Sequence, residues 1–181
     1  MEHLELIRKA KTGDPESFEK LLSLYGDRLY RTAFLYAGNR EDALDIIQET
    51  ACKAFLAIGN LKEEKYFLTW LTRILLNAAY EFLRKRKRDI PFASVEKFSG
   101  GTESIRMESM DLVRAIQRLR KSYRDAIILF YYQDLPIKEV AKIMQVPEGT
   151  VKTYLKRGKE ELKSILEGWE FDERRMAPGK I

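Results

Sequence analysis

The side chains of this chain that could do chemistry are mostly cations, amides and aromatics at helical spacing. Arg73, Asn77, Tyr80, Arg84 and Arg88 recur at steps of three and four, which places them on one face of a helix. Such a face suits phosphates and bases: cations bond phosphate oxygens and rings can stack. The run Arg84-Lys85-Arg86-Lys87-Arg88 closes it. A second set, Lys152, Thr153, Tyr154, Lys156, Arg157 and Lys159, follows Gly149-Thr150-Val151. These types also bond phosphates and purine edges. The opposite character collects on Asp42, Asp45, Gln48 and Glu49, beside Lys53. That face is a poor DNA surface; it is either a protein-docking surface or an ordinary solvated one.

Bond-making chemistry finds no support. The chain has one cysteine, Cys52, and one histidine, His3, which rules out a disulfide framework and leaves no Cys/His zinc set. Cys52 sits in an apolar helical pattern and reads as a small core residue; His3 reads as a solvated terminal residue. No Ser/His/Asp or Cys/His nucleophilic set is visible, and no glycine-rich phosphate loop. The expectation is a protein with no catalytic residue, metal, cofactor or small-molecule substrate. Hydrophobic residues make up 45% of the chain, enough for a packed core, and the net charge of +5 favours an anionic partner. No apolar run reaches the length of a membrane span. The start, Met-Glu-His-Leu-Glu, lacks the regions of a secretory signal. A cytoplasmic location is expected.

Helices must position these faces. Leu4 to Lys11 reads as a short helix stopped by Gly13, after which Asp14-Pro15 supplies a cap and a first-turn proline. The next helix runs from Pro15 to Ala37 on Phe18, Leu21/Leu22, Tyr25, Leu29 and Ala33, and Gly38 ends it. Asn39 can cap a third, from Glu41 to Ile58, with Ala43/Leu44, Ile47, Ala51, Ala54/Phe55 and Ile58 inward. A loop from Gly59 to Tyr66 delivers the chain into the basic helix from Phe67 to Arg88. That helix buries Phe67/Leu68, Leu71, Ile74/Leu75, Ala78/Ala79 and Phe82. Tyr66, Phe67 and Trp70 could stack on unpaired bases or serve as core; for Trp70 packing is the expected role.

Periodicity then breaks. Pro91, Ser94 and Ser99-Gly100-Gly101-Thr102 mark a flexible linker. Beyond it, Met110 to Lys121 carries Leu112/Val113, Ile116 and Leu119, and Tyr123 to Gln133 carries Ala126/Ile127 and Phe130/Tyr131. A short helix from Pro136 to Met144, a turn over Gln145 to Gly149 and a helix to about Leu166 follow. The pattern is a helix-turn-helix, or a plain helical hairpin. Ala141 is small where the two helices approach, and Val151 and Leu155 lock the second. Trp169 to Ile181 reads as a frayed tail. The fold class is therefore all-α: two small helical domains joined by a flexible linker, the second with a helix-turn-helix. The divisions fall at 1–88, 89–108, 109–168 and 169–181.

In order, these parts resemble the extracytoplasmic-function sigma factors of bacterial RNA polymerase, the minimal form with the region-two and region-four domains. The resemblance runs from Leu4 to Leu166. It rests on Gly13-Asp14 with Phe18; on Asp42-Ala43-Leu44-Asp45-Ile46-Ile47-Gln48-Glu49-Thr50; and on Phe67-Leu68-Thr69-Trp70-Leu71-Thr72-Arg73-Ile74 with Asn77. It continues in Tyr123-Arg124, Glu139-Val140-Ala141, Pro147 and Gly149-Thr150-Val151-Lys152. Two places depart: Glu81 stands where an aspartate is common, and Leu119-Arg120-Lys121-Ser122 where Leu-Pro often precedes Tyr-Arg.

The resemblance implies partners and roles. Asp42, Asp45, Gln48 and Glu49 would dock on the clamp helices of core RNA polymerase. Asn60, Lys62, Lys65, Tyr66 and Phe67 would hold a base flipped from the minus-ten element of promoter DNA. Arg73, Asn77, Tyr80, Arg84, Lys85 and Arg88 would hold the adjoining DNA. Thr150, Lys152, Thr153, Tyr154, Lys156, Arg157 and Lys159 would meet the minus-thirty-five element in the major groove. An anti-sigma factor, commonly membrane-anchored, would cover the same surfaces and hold the protein at the inner face of the membrane. Two other readings are a stand-alone helix-turn-helix regulator and a membrane-surface protein using Arg84 to Arg88. The first leaves the acidic face and the basic helix unexplained, and the second leaves the helix-turn-helix idle.

Overall fold

The computed structural model describes the backbone at 2–89 and 107–176 and the side chains at 3–86 and 110–168. Residues 90–106, most of the expected linker, lie outside it. The described residues are helical, with no strand among them, and form two compact units divided at Gly100.

The first unit holds α1 (Glu2–Lys11), α2 (Pro15–Ala37), α3 (Arg40–Ala57) and α4 (Phe67–Asp89). Local chemistry sets the boundaries. Gly13 takes a positive φ of 94° after α1. Asp14 caps α2, its carboxylate accepting from the Ser17 N–H at 3.2 Å, and Pro15 fills the first turn. Gly38 ends α2 in the left-handed region, donating to the Phe34 carbonyl at 2.8 Å. Asn39 caps α3 by accepting from the Asp42 N–H at 2.9 Å.

α2 is the central helix of this unit, packed on α1, α3 and α4. Its last turns, Thr32 to Ala37, are buried without a break. Ile7, Leu21, Leu29, Ile46, Leu71 and Leu75, drawn from all four helices, are also fully buried. Burying one such side chain contributes roughly 1.5–3 kcal/mol.

The inward face of α3 differs from its apolar pattern. Ala43, Ile46, Thr50 and Ala54 are buried, while Leu44 and Phe55 are each 41% exposed. The buried stripe is offset by a fraction of a turn from the apolar pattern and takes in a threonine whose hydroxyl is satisfied. Thr50 Oγ1 donates to the Ile46 carbonyl at 2.6 Å. The offset leaves Cys52 exposed instead of in the core. His3 is not a solvated end either: it bonds the Tyr25 hydroxyl and lies edge-on to Phe67.

The second unit holds α5 (Met107–Arg118), α6 (Lys121–Ile127), α7 (Ile137–Met144) and α8 (Glu148–Met176). α6 does not continue as an α-helix to Gln133: Ile128–Tyr132 is a π-helix. Its wider turn shifts the register, so Ile128, Leu129 and Gln133 are buried and Tyr131 is 49% exposed. Between α7 and α8 the left-handed residue is Gln145 (φ 57°), not the glycine at 149. The Val146 N–H returns to the Ala141 carbonyl at 3.1 Å, and the Pro147 carbonyl accepts from Thr150 and Val151. Ala141, Val151 and Leu155 are buried. Gly158 brings α8 against α6, since a Cβ there would lie 2.9 Å from Ile127 Cδ1 and 3.2 Å from Tyr123 Cβ. The tail expected from Trp169 is helical as far as Met176.

Candidate nucleic-acid interface and its acidic neighbour

α3 turns Asp45, Gln48 and Glu49 to solvent, as the site expectations require, and holds Asp42 half-buried. Two cross-helix ion pairs tie this face to α4. Asp42 Oδ2 accepts from Arg86 Nη1 at 2.9 Å and from Asn39 Nδ2 at 2.6 Å. Lys53 Nζ stands between Glu81 Oε2 at 2.6 Å and Glu49 Oε1 at 3.1 Å. The hydrogen bond to Glu81 raises the Lys53 pKa above its ordinary value, and the same bond lowers that of Glu81. Lys53, Glu81 and Arg86 were not among the expected site residues. Their partners stand 28 and 44 positions apart in the chain, and no local pattern marks such pairs.

On α4, Arg73, Asn77, Arg84 and Lys85 are exposed. Tyr80 is half-buried, edge-on to Tyr36 with ring centroids 5.6 Å apart. The Arg88 side chain lies outside the described residues. Leading into α4, Ile58–Asn60 and Glu64–Tyr66 form 3-10 turns. Asn60, Lys62 and Lys65 are exposed, and Tyr66 is half-buried with Lys65 Nζ 4.9 Å from its ring centroid.

Phe67 is a correction. It is 1% exposed and packs among His3, Tyr25 and Trp70, with centroids 6.3, 5.7 and 5.8 Å away. As the first residue of α4 it closes the core and offers no face to a base. Trp70 is half-buried against it, the packing role expected.

In the second unit, α8 exposes Lys152, Thr153, Lys156, Arg157 and Lys159; Thr153, Lys156 and Arg157 lie on the side opposite Val151 and Leu155, and Lys152 and Lys159 flank the buried stripe. Thr150 is half-buried. Tyr154 is also half-buried, against Tyr123 at 5.7 Å. Thr153 Oγ1 donates to the Gly149 carbonyl at 3.0 Å, so its lone pairs remain the outward-facing function. Among the described residues no three His, Cys, Asp or Glu side chains are grouped to hold a metal ion. No described helix is long and apolar enough to cross a membrane.

A helical unit with a basic face beside an acidic one, and a second carrying a helix-turn-helix, have the form of a DNA-binding protein. Comparison with known proteins gives the family. The Sigma-70 region 2 family matches residues 21–89, and the Sigma-70, region 4 family matches residues 109–162. The chain is 31% identical to the ECF RNA polymerase sigma factor SigW of Bacillus subtilis (strain 168) over 179 aligned positions, covering 88% of this chain and 94% of that protein. It is 37% identical to the RNA polymerase sigma factor SigV of the same organism over 130 positions, covering 71% and 78%. Among solved structures it is similar to the sigma factor RpoE of Bartonella quintana, determined in complex with the anti-sigma factor NepR. There the TM-score is 0.70 at 25% identity, covering 84% of this chain and 98% of that one. The chain belongs to the extracytoplasmic-function family of RNA polymerase sigma factors, and it is a transcription-initiation factor that directs RNA polymerase to promoters.

Proposed function

We propose a division of labour among the exposed faces. Asp45, Gln48 and Glu49, with Asp42 at their edge, dock core RNA polymerase. Asn60, Lys62, Lys65 and Tyr66 hold an unpaired base of the minus-ten element. Arg73, Asn77, Tyr80, Arg84 and Lys85 of α4 hold the DNA beside it, continued by Arg88. Thr150, Lys152, Thr153, Tyr154, Lys156, Arg157 and Lys159 of α8 meet the minus-thirty-five element in the major groove, through its phosphates and its base edges. The domains so defined are 1–88 and 109–168, with 89–108 between them. The protein has no enzymatic activity of its own and works in the cytoplasm.

The observation that carries this reading is the acidic row on α3 lying beside the cationic row on α4. One helix repels phosphate and the next attracts it, so a single small domain presents a protein-facing and a DNA-facing side. An anti-sigma factor controls the protein by covering these faces. The likeness to RpoE, solved with the anti-sigma factor NepR, supports that partner; a membrane-anchored form would hold the complex at the inner face of the membrane.

The test is run-off transcription with core RNA polymerase. Asp45→Lys with Glu49→Lys should abolish co-elution with core polymerase and cut transcription at least tenfold. Binding of the free protein to DNA should not fall, because the change adds positive charge. Retained co-elution would refute the docking face.

A further inference from the structure

The segment between α3 and α4 is held by a third helix. α1 packs on both of its 3-10 turns. Lys11, the last residue of α1, places Nζ 3.0 Å from Glu64 Oε1, and the two side chains are only 22% and 27% exposed. That bond, with the field of Arg8 adding to it, keeps the Glu64 carboxyl below the usual carboxylate range. The Lys11 carbonyl lies over the first turn, where a Cβ at Gly59 would sit 3.8 Å from it. At the other end of α1, His3 lies edge-on to Phe67. Ile7 and Ala10, between these ends, are wholly buried.

α1 therefore touches both turns of the segment and, just beyond them, the first residue of α4. Leu61 is pinned in the core. What remains outward is Gly59, Asn60, Lys62, Glu63 and Lys65, with Glu63 paired to Lys65 at 2.7 Å and Tyr66 half-buried. α1 also lies before residue 21, where the match to Sigma-70 region 2 begins, so the family match assigns it no role.

We infer that α1 braces the promoter-reading loop, and that Lys11 and Glu64 are positioning residues for base capture by Asn60 and Tyr66. This rests on the reading of that loop given under Proposed function. Extruding a base costs a few kcal/mol. A pocket offsets that cost best when its groups already stand in place, because a loose loop must also be ordered on binding. Lys11 acts through the loop and not on DNA, since its ammonium is engaged with Glu64.

The test uses the full chain with core RNA polymerase on promoters carrying each of the four bases at every minus-ten and minus-thirty-five position. Lys11→Met and Glu64→Gln change the net charge in opposite directions. An effect through general attraction to DNA would have opposite signs in the two. Bracing predicts the same sign: both lower base discrimination at one shared minus-ten position by about tenfold. Discrimination at the minus-thirty-five element should stay within about twofold. Lys11→Glu combined with Glu64→Lys should regain most of the loss. The inference is overturned if both single variants keep discrimination at every minus-ten position. It is equally overturned if selectivity falls at both elements together, if a variant is inactive on every promoter, or if the exchanged pair fails to restore selectivity. Asn60→Ala and Tyr66→Ala test the loop itself. If they too change nothing, the loop is not the base reader; if they remove discrimination and Lys11→Met does not, only the brace falls.

Discussion

Gly158 shows how much a single missing side chain can decide. It sits among basic residues on α8 and looks interchangeable with any helix former, yet Ile127 and Tyr123 of α6 occupy the space a larger residue would need. Gly158→Val should destabilise the second unit by about 1–3 kcal/mol through overpacking. Thermal melting would check this, and an unchanged midpoint would mean that α8 can move off α6 without cost. Glu81 makes a different demand. Its pKa is depressed chiefly by the Lys53 hydrogen bond, so the pair stabilises the first unit at neutral pH. The contribution is lost as pH falls through the depressed folded value. Glu81→Gln should therefore lower the melting temperature at neutral pH, and the gap to the parent protein should close on acidification below the usual carboxylate range. A gap that persists in acid would assign the effect to packing. Lys53, with its raised pKa, works in the opposite window: its share is present below its ordinary value and fades only in strong alkali.

At the scale of helices, the faces of α4 and α8 make predictions that differ in kind. Lys152 is exposed on α8 and suited to a phosphate. Lys152→Ala should weaken promoter binding by the holoenzyme about equally across sequences and reduce the slope of log affinity against log salt by about 1. A change confined to one base pair would make it a base reader instead.

The elements also show what could be read without coordinates. Asp14-Pro15, Gly38 and Asn39 mark their boundaries because capping is local chemistry, and the structure has all three caps in use. Which face goes inward was less legible. Thr50 counts as polar until its hydroxyl finds the Ile46 carbonyl, and Leu44 then loses the place its side chain suggested. The π-helix at Ile128–Tyr132 is invisible to a 3.6-residue period, and within it Ile128 and Leu129 are buried. Of the expected site residues, the rows on α3, α4 and α8 came from spacing, whereas Asn60, Lys62 and Lys65 came from the family resemblance alone. The role of Phe67 was not legible, because an aromatic at a helix start looks the same whether it faces a base or a core.

For the whole molecule, the proposed DNA contacts are one helix face in each unit and the loop before α4. Cations facing phosphates give affinity that is salt-sensitive and indifferent to sequence, and one good base contact adds only about 1–3 kcal/mol of discrimination. The free protein should therefore bind promoter and non-promoter duplexes with similar, weak affinity. Selectivity should appear in the complex with core polymerase, where the second contact becomes intramolecular. Mobility-shift titrations with and without core would check this, and a tight, selective complex of free protein with duplex promoter would contradict it.

The seam between α3 and α4 sets a ceiling on how cationic the first domain can be toward DNA. Arg86 already has an anion in Asp42, and Lys53 has two in Glu49 and Glu81. Neither can neutralise a phosphate without giving up that partner, so neither displaces a cation condensed on the DNA. Counting displaced ions by varying potassium should then return a number smaller than the tally of lysines and arginines on these helices. Replacing Asp42 by Asn should raise that number by up to about one, as Arg86 is freed to neutralise a phosphate and displace the cation condensed there.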